Sequence, residues 1–181
     1  MNYLKIDRED VCNGDGLRVV LWLSGCSHHC YNCQNPQTWN PNNGIPFDED
    51  AKQEIFEELS KDYISGITLS GGDPLYQENV NQVLPLIKEI KEKFPDKTIW
   101  LYTGYTYEQI MWPVITSDFN PERDKLISEK RKILQLCDVL VDGEYIDEQR
   151  DITLKWKGSA NQRVIDVQKS IKDKKVQLYE R

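Results

Sequence analysis

Apolar residues along the chain alternate between two kinds of pattern. Leu17–Leu23 (LRVVLWL) is a continuous apolar run rich in β-branched and aromatic residues, which predicts a buried strand. A polar loop around Asn40–Pro46 follows, and then Asp48–Ser60 places Ala51, Ile55, Phe56 and Leu59 on one helical face. Ile67–Ser70 is a short strand ended by Gly71-Gly72-Asp73-Pro74. Asn79–Phe94 has the clearest helical spacing, with Val80, Val83, Leu84, Ile87 and Ile90 on one face; Pro85 either kinks this helix or marks a later start. Thr98–Tyr102 reads as a strand, Tyr107–Ile115 as a short helix broken at Pro113, and Arg123–Leu136 as a charged helix. Asp138–Val141 and Arg163–Val167 complete the predicted strands, and Ile171–Arg181 is a charged, weakly specified tail.

Strands alternating with helices predict an α/β fold with a parallel sheet and crossover helices. Sites in such folds lie at the carboxyl ends of the strands. The Gly-containing loops after Leu23, Ser70, Tyr102 and Val141 are therefore expected on one rim. A closed eight-stranded barrel takes about 250 residues, and this chain has 181. An incomplete, open (β/α) barrel of about five or six mainly parallel strands fits that length. No repeat or long linker divides the chain, so 1–181 reads as one domain, with an insertion near 112–131 and a charged tail over 167–181.

Charge narrows the partners. The chain has 23 basic and 30 acidic residues, net −7, which argues against binding nucleic acid through its phosphates. The longest apolar run is far too short to span a bilayer. No charged start followed by an apolar segment suggests export, so the cytoplasm is expected.

Three of the five cysteines crowd into Cys26-x-x-x-Cys30-x-x-Cys33, directly after the first predicted strand. In a reducing compartment this reads as metal ligation or catalysis, not as a disulfide framework. Ordinary ferredoxin clusters take four cysteines. Three in one loop suit a four-iron cluster with one iron left open to a substrate or cofactor. The alternatives are a zinc site completed by His28 or His29, which would be cramped, and a redox pair of Cys30 and Cys33, which lacks a thioredoxin context. Gly71-Gly72-Asp73-Pro74 alone is an ordinary turn. Glycine does let a backbone approach a ligand closely, and a carboxylate suits an ammonium.

The three cysteines followed by Gly-Gly-Asp-Pro after the second strand resemble the radical S-adenosylmethionine (SAM) superfamily. The resemblance implies that Cys26, Cys30 and Cys33 hold a [4Fe-4S] cluster whose open iron chelates the amine and carboxylate of SAM. It also implies that Gly71, Gly72 and Asp73 hold the SAM amine. Asn13-Gly14, Gly25-Cys26, Cys33-x-Asn35, Thr38-Trp39, Leu69 to Leu75, Tyr102 to Tyr105, Asp138 to Gly143 and Trp156 to Gln162 are together similar to the family of activating proteins of anaerobic (class III) ribonucleoside-triphosphate reductases, over about residues 1–166. The likeness implies an electron from a flavodoxin-like donor and reductive cleavage of SAM to a 5′-deoxyadenosyl radical. That radical would abstract hydrogen from a glycine of the reductase large subunit, forming a glycyl radical. An open barrel of the radical SAM type would leave a lateral mouth for such a protein substrate.

The chain departs from the superfamily at Asn32, where many members carry an aromatic residue beside the adenine. Backbone around Asn32, Cys33 and Gln34 is expected to replace that contact. Two cysteines outside the motif, Cys12 and Cys137, are too few for a second four-cysteine cluster, and Cys137 reads as core. Trp22, Trp100 and Tyr102 read as core positions in apolar strands, and Lys172–Lys175 as a solvated charge run. Trp39, in a polar loop, suits loop packing or partner contact equally. His28 and His29 read as loop residues near the cluster, and no acid–base or nucleophile set is recognisable.

Overall fold

The computed structural model describes residues 1–113 and 120–180. Its centre is a seven-stranded sheet in the order β3-β1-β2-β4-β5-β6-β7. The strands are β1 (Asn2–Asp10), β2 (Arg18–Leu23), β3 (Ile45–Pro46), β4 (Gly66–Gly71), β5 (Thr98–Tyr102), β6 (Val139–Asp142) and β7 (Arg163–Asp166). β2, β4, β5 and β6 are mutually parallel, as the βα alternation predicts. β1 and β7 run antiparallel to their neighbours and flank this parallel core. Among the described residues β3 and β7 do not pair, so the sheet is open.

The helices are α1 (Glu49–Leu59), α2 (Gln77–Lys93), α3 (Tyr107–Met111), α4 (Pro121–Leu136) and α5 (Val167–Asp173). α2 continues unbroken through Pro85, so the later start is not adopted. The carbonyl that the proline leaves without a donor belongs to Asn81, on the exposed side, where water can serve it. α3 stops at Met111, and residues 114–119 of the expected 107–115 helix and 112–131 insertion lie outside the described residues. Among the described residues no helix is long and apolar enough to cross a membrane.

Strand alternation sorts side chains onto two unlike faces. Val19, Leu21, Leu23, Ile67, Leu69, Ile99, Leu101, Leu140 and Ile165 face the helices and form the main core. Trp100, Val139 and Val141 form a smaller cluster, with Tyr102, Trp156, Val164 and Tyr179 packed on it. Lys172–Lys175 is exposed, as expected of a solvated charge run, but the weakly specified tail around it is ordered against the sheet. α5 buries Val167 and Ser170, Leu178 bridges back to Ile165, and Tyr179 packs on Trp100 at 5.2 Å between ring centroids.

Arg18 sits fully buried at the start of β2, the end of the parallel strands opposite the cysteines. Its guanidinium donates to the Thr68 and Thr98 hydroxyls (both 2.9 Å) and to the carbonyls of Asp15 (3.0 Å), Ile67 (2.7 Å) and Thr98 (2.8 Å). It also lies over the Trp100 ring, 5.4 Å from its centroid. Burial lowers its pKa to about 10, which still leaves it charged at neutral pH. Arg18→Met would leave several buried acceptors without a donor. The expected loss is about 3 kcal/mol of unfolding free energy in urea titration; a loss under about 1 kcal/mol would show that the network is not what holds this end of the sheet.

Candidate functional site

Because β2, β4, β5 and β6 are parallel, their carboxyl ends share one edge, where a cavity of about 420 Å³ opens. Cys26, Cys30, Cys33 and Gln34 line it from the loop after β2. Ser70, Gly71 and Gly72 line it from the end of β4, Thr103 and Gly104 from β5, and Gly143 from β6. Six of the eight predicted site residues thus meet at one place. Asn32 and Asp73 do not line the cavity. Asn32, in the left-handed region at φ 52°, turns its side chain outward to donate to Asp147 (2.9 Å). Asp73 is buried behind the cavity wall, 2% exposed.

The cysteine loop is fastened on both sides. The Gly25 amide donates to the Thr38 carbonyl (2.7 Å), the Asp73 amide to the Gly25 carbonyl (2.7 Å), and the Gly72 amide to the Leu23 carbonyl (2.8 Å). Asn79, from the first turns of α2, donates to the carbonyls of Ser24 (2.8 Å) and Asp73 (3.0 Å). Gly71, at φ +102°, adopts a backbone that disfavours other residues.

His28 joins three strand ends. Its Nε2 lies 2.9 Å from Asp73 and its Nδ1 2.9 Å from Glu144, with the ring edge-on to Tyr105. Each ring nitrogen thus faces a carboxylate oxygen. Burial opposes a charge on the ring, but Asp73 and then Glu144 outweigh it and raise the His28 pKa. Nothing local in the sequence signals this contact, because the partners lie 45 and 116 residues away.

The donor set fits an iron–sulfur group better than a single zinc. His28 is taken by two carboxylates, and His29 packs on Trp39, 4.9 Å between ring centroids. Among the described residues no three His, Cys, Asp or Glu side chains converge closely enough to hold one metal ion. Three thiols on one cavity wall suit the soft, multi-centre group that thiolates favour. Burial raises the Cys26 thiol to about 11 and lifts that of Cys30, so metal loading must expel protons here. The indole Nε1 of Trp39, which also lines the cavity, is buried without a protein partner. An orphan donor of this kind costs about 1–3 kcal/mol unless something bound accepts from it.

Several lining residues were not singled out by their chemistry in the sequence. Trp22 and Tyr102 line the cavity, whereas Trp100 is core as expected. The Trp22 indole donates to Asp7 (2.7 Å), and the Tyr102 hydroxyl to the Trp156 carbonyl (2.8 Å). Gln162 accepts from the Gly158 (2.9 Å) and Ser159 (3.2 Å) amides and donates to the Gly143 carbonyl (2.9 Å). It thereby pins the segment from Trp156 to Ser159 over the end of β6. Cys12 is an exposed thiol at the cavity edge, and Cys137 is buried in the core.

Residues 12–165 match the sequence family described as a 4Fe-4S single cluster domain. The chain is 42% identical over 164 residues to the anaerobic ribonucleoside-triphosphate reductase-activating protein of Haemophilus influenzae, covering 90% of this chain and 96% of that protein. It is 38% identical to the protein of the same name from Pasteurella multocida (90% and 95% covered). The protein of that name from Escherichia coli is 37% identical (91% and 97% covered).

Proposed function

The chain belongs to the family of anaerobic ribonucleoside-triphosphate reductase-activating proteins, and on that premise we propose that it is a cytoplasmic radical SAM enzyme that activates such a reductase. The observation that carries this reading is the convergence of Cys26, Cys30 and Cys33 with the Gly71-Gly72 strand end on one cavity. The three thiolates would hold a [4Fe-4S] cluster with one open iron. Gly71, Gly72 and Gln34, with backbone of the Asn32–Cys33 turn, would hold SAM beside it. Such a cluster, held by Cys26, Cys30 and Cys33 and fed by a flavodoxin-like donor, would supply the one-electron reduction needed for reductive cleavage of SAM and so for hydrogen abstraction from a glycine of the reductase.

The remaining work belongs to this chain's residues. Burial of Cys26 and Cys30 limits the water around the metal site, one of the means by which a protein sets cluster potential. The aromatic residues Trp22, Trp39, Tyr102 and Trp156 wall the cavity, and the open sheet leaves a mouth for a segment of the partner.

The test is anaerobic reconstitution with iron and sulfide, then incubation with the cognate reductase, SAM and a one-electron reductant. The expected results are a brown protein, methionine release, and a glycyl radical signal from the reductase in electron paramagnetic resonance (EPR). A colourless protein that keeps one tight zinc and leaves the reductase without a radical would sink the reading.

A further inference from the structure

Resting on that functional reading, we propose that Asp73 does not contact the ammonium of SAM. It is a positioning residue that acts through His28, which stands between it and the cavity.

The Asp73 carboxylate has no free place for a ligand. Its Oδ1 accepts from the Leu75 amide (2.8 Å) and its Oδ2 from the Gly104 amide (3.2 Å). The Thr103 hydroxyl lies 2.9 and 2.8 Å from the two oxygens and shares its one proton between them. His28 Nε2 completes the set at 2.9 Å. A carboxylate offers about four lone-pair sites, and four donors take them. The partners Thr103, Gly104 and His28 line the cavity, and Asp73 does not.

The His28 ring is seated rather than resting there loosely. A Cβ on Gly104 would come 2.5 Å from its Cδ2, so the absence of a side chain at 104 makes the recess that the ring fills. Tyr105 meets it edge-on, and Glu144 holds its other nitrogen. His28 lies two residues from Cys26 and two from Cys30. Asp73 and Glu144 therefore hold the middle of the cysteine loop against the ends of β4 and β6. The SAM ammonium is left to the groups that do line this strand end, Ser70, Gly71 and Gly72.

The experiment uses the reconstituted holoprotein and two probes: SAM, and a SAM analogue lacking the α-amino group. Both are titrated by calorimetry into wild type, Asp73→Asn, His28→Ala and the double variant, with iron per chain and the ligand-free EPR spectrum of the reduced cluster recorded for each. In Asp73→Asn both probes are expected to weaken by about tenfold, with the affinity ratio between them kept within about twofold. His28→Ala should do the same, and the double variant should be no worse than either single one, because the two residues act as one unit. The ligand-free spectrum should shift in both single variants.

A ratio that collapses by about tenfold or more in Asp73→Asn, with iron content and spectrum unchanged, would show direct contact with the ammonium and overturn the proposal. Should Asp73→Asn not fold, His28→Ala decides. Tighter SAM binding on uncovering the carboxylate would also overturn it, and parallel weakening of both probes supports it. Failure of wild-type holoprotein to bind SAM at all would instead remove the functional reading on which the proposal rests.

Discussion

Cys26→Ala, Cys30→Ala and Cys33→Ala should each yield a protein that retains no stable four-iron cluster after anaerobic reconstitution, while Cys12→Ala and Cys137→Ala keep the wild-type iron content. The contrast follows from where the five cysteines lie. Cys26, Cys30 and Cys33 share one loop and one cavity wall. Under the proposed assignment three thiolates serve four irons, and the loop holds no fourth cysteine to replace a lost one. The drop in SAM cleavage should exceed the ~10–100-fold that loss of a supporting outer hydrogen bond costs a metal site. Cys12 reaches the cavity edge from the segment after β1, exposed and apart from that loop. Cys137 caps α4, fully buried, with its thiol donating to the Ile133 carbonyl (3.3 Å) and its pKa driven up by burial. Its substitution should cost some stability and no iron. Iron and sulfide analysis with the visible spectrum decides, and equal cluster loss in Cys12→Ala would contradict the assignment.

The parallel heart of the fold was legible because its strands are buried on both faces and read as continuous apolar runs such as Val19 to Leu23. β1 was not, because Asn2–Asp10 is mostly polar and only Tyr3 is buried. Its strand character comes from backbone pairing with β2 and β3, which side-chain pattern does not report. The two-residue β3 is too short to carry any pattern, and α5 is short enough that its charge masked Val167 and Ser170. The site divides the same way. Cysteine spacing and the Gly-Gly turn are local and were readable. The clasp of His28 by Asp73 and Glu144, and the bracing of the β6 rim by Gln162, are long-range contacts that exist only once the strand ends share an edge.

Gly71-Gly72 illustrates how structure changes the reason for a motif. The sequence suggests that glycine serves close approach of a ligand. At Gly72 the backbone of the chain itself already demands it. A Cβ there would lie 2.5 Å from the Gly25 carbonyl oxygen and 2.9 Å from that of Thr38. Those two oxygens accept the Asp73 and Gly25 amides; the first bond ties the cysteine loop to the end of β4, and the second closes the loop on itself. Backbone oxygens cannot swing aside as a flexible side chain can, so Gly72→Ala must part the seam. The expected cost is about 3 kcal/mol in urea unfolding of the cluster-free chain, together with loss of most of the iron after reconstitution while the far-ultraviolet circular dichroism remains that of an α/β protein. Gly143→Ala supplies the control. Its φ of +94° strains any side chain, but the nearest atom to a new Cβ is 3.8 Å away, so it should cost only about 1–2 kcal/mol and keep its iron. If the two substitutions prove equal in both measurements, backbone conformation alone governs these glycines and the seam plays no part. If Gly72→Ala loses iron while Gly143→Ala keeps it, the close backbone approach at the end of β4 is what holds the three cysteines in place.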